Sequence, residues 1–426
     1  MAKPLFSALL VASALLALPA AAETSYVRAG RLIDTEKGQV LNDQLIQIVD
    51  GRVTAITAFA PPPAGSNFTD WSAYTVLPGL IDMHTHLVDT EQSSNVAEPL
   101  LHSAAEIALL GAHHAKQTLE AGFTSVRDVG TFRAFGDVAL RDAINNGWVS
   151  GPRMLVAGAY LTVPGGGGEV TGLAADVTVP AEMRVGVVSS PAEMTVKARY
   201  LFQHGADFIK LIATGAVLAA GTEPGAPELT EDEIRAAVQE AARNKSYATA
   251  HAHGAEGIKI ALRAGVRSIE HASLIDDEGI ALAKAKGAFL VMDVYNGDYI
   301  NEIGARDHWP EEIMRKNRDT TDLQRVGFSK AVKAGVKIAY GTDAGVYPHG
   351  DNAKQFAYMV RYGMTPMQAI QSATTVAADL MRRSADVGSL SPGRYADLIA
   401  VPGDPLKDIT VLERVAHVIK GGVSVR

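Results

Sequence analysis

The sequence predicts an α/β fold, in which a (β/α)8 TIM barrel carries a small β-sandwich built from the two ends of the chain. Eight apolar, strand-like segments alternate with helical stretches through the middle, and short alternating strands occupy both ends. We therefore divide the mature chain into two domains. Residues 23–78 plus 385–426 form the β-sandwich domain, and residues 79–384 form the barrel.

Residues 1–22 have the composition of a secretory signal peptide. Lys3 supplies the positive charge, Leu5–Leu18 is apolar, and Ala20–Ala22 offers small residues for cleavage before Glu23. The apolar run is shorter than a membrane span needs, although an uncleaved anchor is the alternative. We expect a periplasmic or secreted protein that has no membrane attachment after the signal peptide is cleaved.

The composition is that of an ordinary globular protein, and it restricts the chemistry available. Apolar residues make up 47% and charged residues 20% of the chain, the net charge is −8, and no basic block occurs. Nucleic acid is therefore not an expected partner. The chain has no cysteine, which excludes disulfides and thiolate metal ligands. Any metal site must use nitrogen and oxygen donors, which suit zinc, manganese or cobalt.

Both ends of the chain alternate apolar and polar residues, as half-buried strands do. The N-terminal segments are VRAGRLID, QLIQIVDG and RVTAITAF, and the C-terminal ones are ADLIAVPGD and HVIKGGVSVR. Neither end contains enough strands to be stable alone. We therefore predict that the two ends meet in one β-sandwich.

The barrel strands begin with LPGLIDMHTHL and continue with FTSVRDVG, RMLVAG, DFIKLIAT, YATAHAHG, RSIEHASL, AFLVMDV and KIAYGTDAG. Strands separated by helical patterns indicate βα units and a parallel sheet, and eight such units match a TIM barrel. Thr230 and Glu233 form a capping box at the start of one intervening helix. An open doubly wound sheet is the alternative, but no glycine-rich dinucleotide fingerprint supports it.

The segment 160–190 is the least regular part of the chain. It contains PGGGGE (Pro164–Glu169), whose glycines permit unusual backbone angles. We interpret the segment as a long loop over the barrel mouth. It is either a lid or a flexible surface excursion.

Polar groups that can bind metal recur on the predicted barrel strands, at or near their carboxyl ends. Active sites of TIM barrels lie at that face. His84 and His86 alternate along the first strand, so both can reach one ion. The full set is His84, His86, Lys210, His251, His271 and Asp343. We assign ordinary core or surface positions to His102, His113, His114, His204, His308, His349 and His417.

Lys210 lies in FIKLIA, between apolar residues on a strand that we expect to be buried. Burying a bare ammonium is costly unless the group is paired or loses its charge. The amine could reach into the barrel mouth, form a Schiff base, or react with CO2 to give a carbamate. A mouth crowded with neutral histidines favours the carbamate. Asp343 could bind an ion and accept a proton from an attacking water, or it could cap the following helix.

Together, LPGLIDMHTHL, Lys210, AHAHG, SIEHASLID, YGTDAG and SPGRYADLIAVPGDPL resemble the amidohydrolase superfamily over nearly the whole mature chain. The chain is similar to its secreted prolidase-like and imidazolonepropionase-related branch, which includes Xaa-Pro dipeptidases and carboxypeptidase-like amidases that hydrolyse ochratoxin A. The resemblance implies an enzyme that cleaves a peptide-like amide next to a free carboxylate. Dipeptides and ochratoxin-like N-acyl amino acids are the expected small-molecule substrates. The resemblance also implies that the chain assembles into a homo-oligomer.

The resemblance further implies two divalent ions, with Zn²⁺ as the expected metal. His84, His86 and Asp343 would hold the more buried ion, carbamylated Lys210 would bridge the two, and His251 and His271 would bind the other. Asp343 would also be the catalytic acid and base. In AHAHG either histidine could be the strand-five ligand, and related sequences use the first. The expected substrate contacts are His253, Tyr160, Tyr295 and Tyr299.

Three alternatives bear on the function. A lactonase or cyclic-amide hydrolase of the same superfamily would share every ligand. A non-catalytic periplasmic binding protein built on a barrel would not need a complete ligand set. A mononuclear deaminase would normally lack the bridging lysine, so Lys210 argues against it. In addition, GGGGE stands where relatives often have a GGHGD-like loop, which leaves the exact specificity open.

Overall fold

The computed structural model describes residues 23–91 and 93–426. The predicted signal peptide, residues 1–22, lies outside the described residues. Within the described part of the chain, no helix combines the length and the apolar character needed to cross a membrane.

Strands occupy the two ends of the chain and alternate with helices between them. The strands are β1 Thr24–Asp34, β2 Gln39–Val49, β3 Arg52–Ala58, β4 Asn67–Pro78, β5 Leu80–Thr85, β6 Phe123–Asp128, β7 Arg153–Val156, β8 Tyr160–Leu161, β9 Ile209–Ile212, β10 Ala248–Ala252, β11 Ser268–His271, β12 Phe289–Val291, β13 Lys337–Ile338, β14 Leu398–Val401, β15 His417–Lys420 and β16 Val423–Ser424.

Helices alternate with the barrel strands along the chain. They are α1 Glu98–Leu101, α2 Ala104–Glu120, α3 Gly136–Asn145, α4 Pro191–Gln203, α5 Glu231–Arg243, α6 Ala255–Ala264, α7 Asp277–Lys286, α8 Asn296–Arg306, α9 Glu311–Ala334, α10 Gln355–Arg361, α11 Pro366–Ser372 and α12 Thr375–Leu380, with short 3-10 helices at Ala181–Met183, Asn352–Lys354 and Ile409–Glu413. Helix α5 begins at the predicted capping box, where Thr230 and Glu233 each accept a hydrogen bond from the other's backbone N–H.

The two ends of the chain share one seven-stranded sheet, in the order β16-β15-β14-β4-β1-β2-β3. The N-terminal β4 pairs with β1 in parallel and with the C-terminal β14 in antiparallel orientation. Apolar side chains of both ends, among them Trp71 and Leu398, form a core of their own. The predicted union of the termini in a β-sandwich is confirmed, while the domain limits at residues 78/79 and 384/385 stay predictions.

The barrel consists of parallel strands in two hydrogen-bonded groups, β5-β6-β7 and β13-β12-β11-β10-β9-β8. Strand β7 lies within the predicted third strand, RMLVAG, and pairs with β6. Strand β8, which the sequence analysis places in the irregular segment 160–190, continues it and pairs with β9. Backbone hydrogen bonds from Met83 N to Tyr340 O and from His86 N to Ala344 O, both 2.9 Å long, join the first strand to the eighth. The barrel is therefore closed, as the sequence predicts.

Candidate metal centre

A cavity opens at the mouth of the barrel, where the strands end. Its wall contains every residue that the sequence analysis selects as a metal ligand, namely His84, His86, Lys210, His251, His271 and Asp343. These residues come from the first, fourth, fifth, sixth and eighth barrel segments. The fold therefore converts six scattered sequence positions into one cluster.

His84, His86 and Asp343 form the first trio. The Nε2 atoms of His84 and His86 lie 3.1 and 3.2 Å from Oδ1 of Asp343. Ligand atoms placed about 2.0–2.2 Å from one zinc ion are themselves roughly 3–3.5 Å apart. The spacing in this trio therefore fits a single bound ion.

The two histidines of this trio are each held through Nδ1. His84 Nδ1 lies 3.1 Å from Oε2 of Glu270, and His86 Nδ1 lies 2.8 Å from the carbonyl oxygen of Gly130. A histidine that donates its Nδ1–H keeps its Nε2 lone pair free for a metal. Both Nε2 atoms consequently face the same point beside Asp343.

Asp343 reaches the trio because the last barrel segment runs along the first. The regular strand β13 ends at Ile338. Ala339 N still donates to Leu290 O of β12, and from Tyr340 onward the backbone also pairs with β5. Asp343 N donates to His84 O over 2.8 Å. A Cβ at Gly341 would lie 2.1 Å from a Val291 methyl and 3.0 Å from Cβ of His84, so only glycine permits this approach. Asp343 itself has a φ of +59°, in the left-handed region.

His251, His253 and His271 form the second trio, and their ring nitrogens are close enough for one ion. The ring centroids of His251 and His253 lie 4.5 and 4.7 Å from that of His271. His84 connects the trios, since its ring centroid lies 4.9 Å from that of His271. The structure brings both strand-five histidines to the cluster, so the choice of His251 over His253 as ligand stays a prediction.

Burial keeps the strand-five histidines neutral. It lowers the pKa of His251 well below the usual value and that of His253 to about 3, and the neighbouring histidine charges act in the same direction. Neutral imidazole is the form that binds metal ions. For Asp343, burial acts to raise the pKa, but contacts with His84 and His86 outweigh it and hold the pKa well below the usual value. Asp343 and the two strand-five histidines are thus in the forms that bind metal ions.

Lys210 is buried in the same cavity wall, with 1% of its surface exposed. Burial lowers the pKa of its amine to about 8, against the opposing effect of the Glu270 and Asp343 carboxylates. The side chain forms no salt bridge with a carboxylate of the described residues. A buried lysine without such a partner is the situation in which loss of the positive charge is favourable.

Several residues of the centre are absent from the sequence-based set. Asp293 follows β12, and its Oδ1 accepts hydrogen bonds from His271 Nδ1 at 3.0 Å and from Gln324 Nε2 at 2.9 Å. Asn296 Nδ2 donates to Asp293 Oδ2 at 2.8 Å and to Asp343 Oδ2 at 3.0 Å. Asp293 is the penultimate residue of the segment AFLVMDV. The pattern shared by the other ligands, polar residues near the carboxyl ends of barrel strands, therefore also predicts it. Asn296 and Gln324 lie on helices and give no such signal.

The expected substrate contacts divide into two groups. His253 and Tyr160 line the cavity, and the Tyr160 hydroxyl lies 3.0 Å from Nδ1 of His86. Tyr295 and Tyr299 are not among the lining residues and instead pack against Tyr347, with ring centroids 5.0 and 5.8 Å away. We therefore carry only His253 and Tyr160 forward as candidate substrate contacts.

The glycine-rich loop borders the cavity, as predicted for a segment over the barrel mouth. Gly167, Gly168 and Glu169 line it. Gly167 N donates to Oε2 of Glu228 over 2.9 Å, and a Cβ at Gly168 would lie 2.7 Å from Ile212. The loop is thus packed closely on the barrel in this conformation, and its action as a lid stays a prediction.

The Amidohydrolase family matches residues 75–425. An ochratoxinase of Aspergillus niger is 31% identical over 431 residues, covering 94% of this chain and 86% of its own length. The crystal structure of a Xaa-Pro dipeptidase with bound methionine is 39% identical, with a TM-score of 0.88, covering 94% of this chain and 99% of its own. An imidazolonepropionase of Salinispora arenicola is 26% identical over 380 residues, covering 83% of this chain and 84% of its own. The chain belongs to the amidohydrolase family and is a hydrolase that acts on amide bonds.

Proposed function

We propose that the protein is a binuclear metal-dependent amidohydrolase that cleaves a peptide-like amide bond next to a free carboxylate. The convergence of two metal-binding trios and a buried lysine on one cavity carries this proposal. The family as a whole generally uses metal ions, and the donors here are imidazole nitrogens and carboxylate oxygens.

We assign His84, His86 and Asp343 to one ion, and His251 and His271 to the second. Reaction of the neutral Lys210 amine with CO2 and loss of a proton would give a carbamate, whose oxygens would be further donors for the metal ions. The buried cation would then be replaced by an anion that the bound cations neutralise. Zn²⁺ is the metal that we expect, because it accepts nitrogen and oxygen donors in small, irregular sets. Ions bound there would act as Lewis acids toward the scissile carbonyl and make water nucleophilic near neutral pH.

Asp343 is the residue that we propose to transfer the proton. Its Oδ1 faces the two histidines of its trio, while Oδ2 is oriented by the amide of Asn296. Asp343 would accept a proton from the water that forms the new carbon–oxygen bond. It would then donate that proton to the nitrogen as the carbon–nitrogen bond breaks, which gives a carboxylic acid and an amine.

Two similar proteins support the substrate class. One is an ochratoxinase and the other a Xaa-Pro dipeptidase, and each matches this chain over most of its own length. In the cavity, Phe132, Ile300 and Val346 offer apolar surface, and His253 and Tyr160 offer polar groups. We propose that the apolar surface binds a side chain or acyl group and that the polar groups contact the carboxylate end of the substrate.

A substrate panel on the purified chain tests the function. The panel contains Xaa-Pro and other dipeptides, an N-acyl phenylalanine of the ochratoxin type, the C-terminal amide of each, and a lactone. We expect hydrolysis of the free acids, loss of activity on chelation, and recovery with Zn²⁺. Preference for the lactone would instead indicate a lactonase. Ligand binding without turnover, by a chain that holds no metal, would indicate a binding protein.

Substitution Lys210→Ala should remove both metal and activity, because it deletes the proposed bridging oxygen donor. Short carboxylic acids such as acetate or propionate should restore part of the activity by occupying the vacated space. Metal analysis and initial rates measure the two effects. Lys420→Ala is the matched control, since burial also lowers the pKa of Lys420 to about 8 but this residue lies in the terminal sheet. Full metal content in Lys210→Ala would contradict the assignment.

Substitution Asp343→Asn should reduce the rate about 10²–10⁴-fold, the usual effect of removing an acid–base group. The rate is measured at saturating metal, so that weakened metal binding does not account for the loss. Asp397→Asn removes a buried carboxylate that precedes β14 and does not line the cavity, and it should leave the rate unchanged. Near-full activity of Asp343→Asn would show that another group transfers the proton.

We also propose that residues 1–22 are removed on export to the periplasm or the medium. The support is the charged, apolar and small-residue pattern of this segment. Mass spectrometry of the exported chain should find Glu23 at its N-terminus. A full-length chain that stays in the cytoplasm would contradict export. Assembly into a homo-oligomer likewise stays a prediction, which sedimentation would test.

A further inference from the structure

A buried ion pair crosses the barrel interior below the candidate metal centre. Arg127 belongs to β6 and Glu270 to β11, the second and sixth barrel strands, which lie on opposite sides of a closed eight-stranded barrel. Both side chains have 0% of their surface exposed. Branched apolar side chains usually fill this space in a TIM barrel.

Hydrogen bonds occupy every nitrogen of the Arg127 guanidinium. Nη2 donates to Oε1 of Glu270 at 2.7 Å, Nη1 donates to Ser268 Oγ at 3.0 Å, and Nε donates to the carbonyl oxygen of Met83 at 2.7 Å. Met83 is the residue before His84 on the first strand. Arg127 thus binds both Glu270 and the backbone of the strand that carries the first histidine pair.

The two carboxylate oxygens of Glu270 have different partners. Oε1 accepts hydrogen bonds from Arg127, from Ser268 Oγ at 2.8 Å, and from Thr249 Oγ1. Oε2 faces Nδ1 of His84 at 3.1 Å. With Oε1 engaged by three donors, the carboxylate cannot rotate without breaking several hydrogen bonds. Its free oxygen is therefore held against the His84 ring.

A buried ion pair is weak evidence for a contribution to stability, because desolvation of the charges offsets their attraction. The contact between Glu270 and the His84 ring indicates instead that the pair orients this histidine. A hydrogen bond from His84 Nδ1–H to Glu270 fixes both the tautomer and the ring orientation, and leaves Nε2 directed at Oδ1 of Asp343, 3.1 Å away.

We propose that Glu270 and Arg127 are positioning residues for the metal centre. Glu270 orients His84, and Arg127 holds Glu270 in place from the opposite wall of the barrel. This inference rests on the proposed function, because it takes His84 to be a metal ligand.

The test uses full-length Glu270→Gln, Glu270→Asp and Arg127→Met, each loaded with zinc or cobalt. Glu270→Gln keeps the size and shape of the side chain but removes its negative charge. Glu270→Asp keeps the negative charge but shortens the side chain, so that the carboxylate lies farther from His84. Competition with a chelator should show zinc affinity lowered about 10–100-fold in all three, the usual effect of losing such a partner. The visible absorption of the cobalt forms should shift, because the geometry around His84 changes.

Asp397→Asn is the matched control. Asp397, just before β14, is buried and pairs through two 3.1 Å contacts with Arg153 at the start of barrel strand β7. Neither residue lines the cavity. The Asp397→Asn variant should have a lower thermal stability in its metal-free form, while its zinc affinity and its cobalt spectrum stay unchanged. Wild-type affinity and spectrum in folded Glu270→Gln and Glu270→Asp would overturn the proposal. If the wild-type chain itself fails to bind zinc, the proposed function is what fails.

Discussion

Closure of the barrel between its first and last strands is the constraint on which the centre depends. Hydrogen bonds from Asp343 N to His84 O and from His86 N to Ala344 O fasten the two segments side by side. The same contacts put a carboxylate between two imidazoles that lie about 260 positions earlier in the chain. The pairing of the first and last strands thus closes the barrel and also brings Asp343 next to His84 and His86. The second trio joins it through the contact between His84 and His271.

The centre combines close packing with a fixed orientation of each donor. Glu270 and Asp293, both buried, hold the Nδ1 atoms of His84 and His271, and a backbone carbonyl holds that of His86. These partners leave the opposite ring nitrogens facing the cavity. The buried carboxylates of Asp343 and Asp293 beside these donors are unfavourable unless a positive charge compensates them. Divalent cations would supply that charge, so metal binding and the stability of this region should be coupled.

Local strain accompanies this arrangement. His271 and Asp343 have φ values of +68° and +59°, although neither is glycine. Such residues cost roughly 1–3 kcal/mol each and persist only where the surrounding structure enforces them. His271 and Asp343 both lie at or near the ends of barrel strands and line the cavity, which fits a functional origin for the strain.

The barrel, the union of the chain ends and the residues that meet at the mouth could all be predicted from the sequence. Those features follow from periodicity and from one rule, that parallel strands bring their carboxyl ends to one face. The partners that orient the ligands could not be predicted in this way. Arg127, Glu270, Asn296 and Gln324 act through side-chain direction and distance across the barrel, which no local pattern encodes. For the same reason Tyr295 and Tyr299, near a strand end in sequence, turn away from the cavity and pack on Tyr347.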